Sequence, residues 1–133
     1  MRPVFAVLAI AFGTALVADT ADIASAPVQA EVALNCTFTT ECFDLEGCSD
    51  TNFAVSLMGR AGGVTTDDMI VAAELTTDAE TYAMIGTHAG EVYSLTGSSD
   101  YGHGMLTVSG ADARFTVHYT DGPLSISYGG VCE

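Results

Sequence analysis

Four cysteines carry the clearest chemistry in the chain. Cys36, Cys42 and Cys48 sit at even spacing in CTFTTECFDLEGC, and Cys132 stands one residue before the end. A tetrahedral zinc site is built from close cysteine pairs, two to four residues apart. These gaps are longer, so a metal clamp does not fit. A redox device needs C-x-x-C or a similarly activated thiol, and neither is present. Two disulfides remain, and four cysteines allow three pairings.

The histidines offer a second candidate chemistry. His103 follows Asp100 in the loop GSSDYGHG, residues 97 to 104, a spacing that could pair a carboxylate with an imidazole. Ser98 and Ser99 stand beside them. Catalytic triads are assembled from distant segments around an oxyanion hole, and no G-x-S-x-G elbow occurs. His118 falls on the polar side of FTVHY, and His88 lies in the turn-like THAGE. Asp67-Asp68 belongs to no EF-hand pattern. These residues predict a binding protein without catalytic groups, resident metal or cofactor. Tyr101, in a loop of three glycines, is the residue best placed to stand out as an amphipathic contact.

The elements that must position these residues are strands. Short alternating runs recur every 10 to 13 residues, separated by Gly, Asp, Ser and Thr clusters, as in sandwiches and barrels. Strands are expected near 32–38, 53–58, 69–75, 81–86, 91–96, 104–109, 113–120 and 124–130. VAAELTT at 71–77 is ambiguous on composition alone. In FTVHY and LSISY, pairing Tyr119 with Leu124 sets Val117 against Ile126 and Phe115 against Tyr128 on one face. His118 then meets Ser125 on the other, and a one-residue slip would destroy the match. Pro123 argues for a four-residue loop there. Leu106 and Val108 are expected opposite Val117 and Phe115 across a turn at Gly110 to Ala113. Phe53, Val55 and Leu57 make another one-sided strand, with Met58 on its reverse.

The fold class that follows is all-β: an eight-stranded antiparallel meander closed as an up-and-down barrel. Closure brings the first strand to the last and Cys36 to Cys132. Cys36 and Cys42 share a face if the strand stays extended, about 20 Å apart, too far for a bond. Cys42 and Cys48 flank FDLEG and can close a local loop. The expected bridges are Cys36–Cys132 and Cys42–Cys48.

Residues 1–30 read as a secretory leader. Arg2 precedes an uncharged apolar run from Val4 to Ala18, too short to span a membrane. Cleavage after Ala30 fits the local chemistry, with Ala18 and Ala26 as alternatives. The single β domain is then 31–133, exported to the periplasm or beyond. No lipobox precedes Cys36. The leader removes Asp19 and Asp22, leaving 15 of 17 acids against Arg60 and Arg114 and no lysine. Such a surface repels nucleic acid and anionic membrane and attracts basic proteins. With 49% hydrophobic residues the chain is not a disordered acidic tail.

At residues 96–104 the chain resembles the periplasmic and membrane-bound inhibitors of c-type lysozyme. That family presents a Ser-Gly-x-x-Tyr-x-x-Gly loop from a small exported eight-stranded barrel to the lysozyme cleft. Here Tyr101-Gly102-His103-Gly104 matches its end, and Thr96-Gly97 matches its start with one residue inserted. TVSGADARFTV and the terminal Cys132 continue the likeness over about 40 residues. Asp100 stands where a basic residue occurs in the family, and Cys42 and Cys48 are additional. The resemblance implies that Ser98, Ser99 and Tyr101 contact lysozyme, with Asp100 and His103 beside them. The C-terminal pattern is also similar to that of uncharacterised small exported bacterial β-domain proteins. The expected function is an exported, non-enzymatic domain binding a basic protein or surface partner, with a small-ligand or metal carrier as the alternative.

Overall fold

The computed structural model describes residues 23–133. Eight antiparallel strands follow one another round a single closed barrel: β1 (Val28–Phe43), β2 (Gly47–Thr65), β3 (Asp68–Thr76), β4 (Thr81–Ala89), β5 (Val92–Ser98), β6 (Gly102–Ser109), β7 (Asp112–Tyr119) and β8 (Leu124–Cys132). All eight expected strands are present in order. VAAELTT is part of β3. There Met69, Val71, Ala73 and Leu75 are buried, while the residues between them are exposed. That period of two directs one side of each strand into the barrel.

Side chains fill the interior. Phe38, Phe53, Phe115 and Tyr128 gather with ring centroids 4.4 Å apart at the closest pair, Phe53–Tyr128. Tyr82 meets Phe115 edge-on at 5.5 Å. Such contacts add about 0.5–1.5 kcal/mol each beyond area burial. Room for them comes from Gly104, where an ideal Cβ would lie 2.9 Å from Phe115 Cε2 and 3.2 Å from Tyr82 Cδ1. Any larger residue on that inward position would push into two rings.

β1 closes the barrel against β8, with Cys36 directly opposite Cys132. A disulfide joins them across 96 residues of sequence. Beside it, Asn35 and Glu133 exchange backbone hydrogen bonds of 2.8 and 2.9 Å. The second disulfide, Cys42–Cys48, spans 6 residues at the β1–β2 hairpin end.

One expectation about these cysteines fails. Cys36 and Cys42 do not share a face, because β1 carries a bulge at Thr39, where its register shifts against both β2 and β8. One extra residue reverses the alternation. Phe38 and Phe43, five residues apart, therefore both pack on the core. Cys42 then lies outward, in register with Ser127.

The β7–β8 hairpin has the expected register: Tyr119 pairs with Leu124, Val117 with Ile126, Phe115 with Tyr128 and His118 with Ser125. The β6–β7 hairpin differs. Leu106 pairs with Phe115 and Val108 with Ala113, two residues from the expected alignment. Gly110 has φ +58°, which permits a two-residue turn of Gly110 and Ala111. The tighter turn moves every pair in the hairpin while keeping the same face inward.

The expected leader lies largely outside the described residues. Its last eight residues, 23–30, are within them. Ile23–Ser25 form a short 3-10 turn, and Val28, Gln29 and Ala30 pair with Gly63, Gly62 and Ala61. Gln29 Nε2 donates to the carbonyls of Ala24 and Ala26 at 2.9 and 3.3 Å. Gly62 lets this segment approach: a Cβ there would lie 2.8 Å from the Ile23 oxygen and 2.9 Å from Ala26 Cβ.

Candidate functional site

The register brings the polar residues of interest into one outward-facing row. Across β4 to β8 it reads Ala83, Ser98, His103, His118, Ser125. The next row holds Ile85, Thr96, Met105, Thr116 and Ser127. The β4 to β7 members of these rows line an open groove on the barrel wall, apolar at Ile85 and Met105 and polar at Ser98, His103 and His118. Ile85 is 60% exposed and Met105 49%. Single apolar residues on a surface are ordinary; here two line one groove, on β4 and β6, with Thr96 of β5 between them.

Above the groove sits the β5–β6 loop. Its backbone is tied down. Ser99 Oγ accepts from the Tyr101 and Gly102 amides, each at 3.2 Å, and the Ser99 amide donates to the Gly102 oxygen at 3.0 Å. Thr120 donates to the Tyr101 oxygen through its amide at 3.1 Å and its hydroxyl at 3.2 Å. Tyr101 itself, in contrast, is 64% exposed. A braced backbone holding out an exposed aromatic ring is pre-organised for contact, because little ordering entropy remains to be lost on binding. Glu74, Glu80, Ser98, Ser99, Asp100 and Tyr101 line a second depression there.

Glu80 links this rim to the barrel mouth. Its Oε1 accepts from the Tyr82 hydroxyl at 2.5 Å and from the Tyr119 hydroxyl at 3.1 Å. Burial, followed by the hydrogen bond to Glu80, pushes the Tyr82 hydroxyl well above its ordinary 10.0. Tyr119 is raised as well, mainly by burial. Tyr128 is raised by burial and then by the nearby Glu41 charge. Glu80 Oε2 is buried and has no hydrogen-bond partner among the described residues. These groups act as a polar plug over the aromatic core.

Of the residues singled out from sequence, Ser98, Ser99, Asp100, Tyr101 and His103 share this rim. Ser98 Oγ lies 2.8 Å from His103 Nδ1. Among the described residues no carboxylate hydrogen-bonds His103, whose side-chain partner is Ser98. Asp100 is not its partner. His88 is not in a turn: it belongs to β4 and stacks on Tyr93 with centroids 4.0 Å apart. What sequence reasoning missed is the groove and the apposition of His103 with His118. The expected β6–β7 register, two residues away, set His103 opposite Thr120 and hid the pair.

Compared with known protein families, curated proteins and solved structures, the chain matches none. Among the described residues no helix is long and apolar enough to cross a membrane. Two disulfides and no free cysteine fit an oxidising, exported environment.

Proposed function

We propose that the protein is an exported, non-enzymatic binding domain that presents the 98–104 loop to a basic protein partner. The exposed Tyr101 ring on a braced loop is the observation that carries this reading. Tyrosine suits such a role, since it offers a large amphipathic contact with few rotatable bonds. Glu74, Glu80 and Asp100 around it favour a cationic partner surface. The strong acidic excess, with Arg60 and Arg114 as the basic residues of the described domain and no lysine, speeds encounter with such a partner. The filled barrel interior speaks against a small molecule carried inside.

The sharpest version is inhibition of c-type lysozyme, a basic enzyme with an open cleft. The test is a lysis assay with micromolar protein, together with affinity capture from the exported fraction. Inhibition that Tyr101→Ala reduces tenfold or more, at unchanged melting temperature, supports the reading. Undiminished lysis removes the lysozyme version. Captured partners held equally well by Tyr101→Ala and Asp100→Asn remove the loop as the contact.

A further inference from the structure

His103 and His118 are direct cross-strand partners on the outer face of β6 and β7. Directly opposed residues on one face bring their Cβ atoms to about 4.5–5.5 Å. That spacing suits two imidazoles converging on one ion. Ser98 Oγ lies 2.8 Å from His103 Nδ1. When the hydroxyl accepts from Nδ1–H, the lone pair is on Nε2 and the ring is held in place. Both histidines line the groove on one side and an adjoining depression on the other, so the pair is reached from solvent. Asp44 lines that second depression, its Oδ1 fixed by the Ser125 amide at 3.0 Å and hydroxyl at 2.7 Å.

We propose that His103 and His118 form a two-imidazole binding site for a single borderline-soft divalent transition-metal ion, Cu2+ or Zn2+. Imidazole nitrogen suits these ions and does not suit Ca2+ or Mg2+, which take oxygen ligands. Among the described residues no three His, Cys, Asp or Glu side chains group as a metal cluster. The site therefore contributes two protein ligands and leaves the remaining positions to water or to a donor from outside the chain. Ser98 is a positioning residue that orients His103. Asp44 adds negative charge nearby without ligating. This site shares Ser98 and His103 with the 98–104 segment but does not use the Tyr101 ring.

The test is calorimetric titration of the native protein with Cu2+ and Zn2+ at neutral pH, with Ca2+ as the control for general attraction to an acidic surface. Electron paramagnetic resonance of the Cu2+-loaded protein reads the ligands directly. Expected are one bound ion, a two-nitrogen hyperfine pattern, and loss of binding in His103→Ala and in His118→Ala. Ser98→Ala should weaken affinity on the order of tenfold, as loss of an orienting partner does. Both histidines are exposed, so circular dichroism should show all variants folded. Wild-type affinity in the His103→Ala/His118→Ala double variant would overturn the proposal. Heat released equally by Ca2+ and Cu2+ would do the same, by reducing the effect to surface charge.

Discussion

Replacing both cysteines of one bridge by alanine should cost very different amounts at the two sites. In the chain-entropy picture a bridge acts on the unfolded chain, and its effect grows with the logarithm of the loop it closes. Cys36–Cys132 closes a loop set by a separation of 96 residues, Cys42–Cys48 one of 6. Those lengths give about 4.7 kcal/mol and about 2.2 kcal/mol at 25 °C. The long bridge is also buried, so its removal adds a packing loss in the same direction. For a domain near 100 residues, about 4.7 kcal/mol lowers the melting temperature by roughly 20 °C. Equilibrium unfolding in guanidinium measures both variants, and the slope should rise in the Cys36→Ala/Cys132→Ala protein as its unfolded chain expands. The native strand pairing round Cys36 should survive in that variant, because the Asn35–Glu133 hydrogen bonds hold the same register. Equal losses at the two bridges, or a larger loss from the short one, would refute the reasoning.

Three further outcomes are expected. Gly104→Val should destabilise by about 1–3 kcal/mol, since its side chain would enter the Phe115 and Tyr82 rings; denaturant midpoints check this. Stability should be level up to about pH 10 and fall above it: Tyr82 and Tyr128 ionise more readily unfolded than folded, so the unfolded chain loses their protons first. Thermal melts between pH 8 and 11.5, with tyrosinate absorbance, would show it, and an unchanged midpoint at pH 11 would contradict it. The exported protein should retain residues 23–30, with Asp19 as its first residue, because this segment pairs with β2 and packs over Gly62. The intact mass of the exported chain decides between that start and Glu31.

Periodicity made the fold legible. One-sided apolar alternation placed eight strands, and the pairing of FTVHY with LSISY fixed a hairpin register residue by residue. Turn chemistry was less legible. Gly110 by itself does not say whether the turn takes two residues or four, and the longer turn would set His103 opposite Thr120 in place of His118. The Thr39 bulge left no signal, since an extra residue in a Thr-rich run keeps the same composition. The full length of β1 and β2 is not legible from alternation, because their outer ends pair with each other beyond the buried part, where alternation fades. The loop at 98–104 was visible through its glycines. Its bracing by Thr120 was not, because that contact joins residues 19 apart in sequence.

The Thr39 bulge has a consequence for oxidative folding. Before the barrel closes, Cys36 and Cys42 are near neighbours on one stretch of chain, and attack by one of them on a mixed disulfide of the other, expelling the carrier thiol, would trap the wrong isomer. Once β1 takes up its bulged form, Cys36 faces the core and Cys42 faces solvent beside Cys48. A thiolate must approach a disulfide in line to exchange with it. The two sulfur pairs then sit on opposite sides of the sheet, with the barrel wall between them. A single inserted threonine thus sorts four chemically equivalent thiols into two sets that cannot reshuffle in the native state.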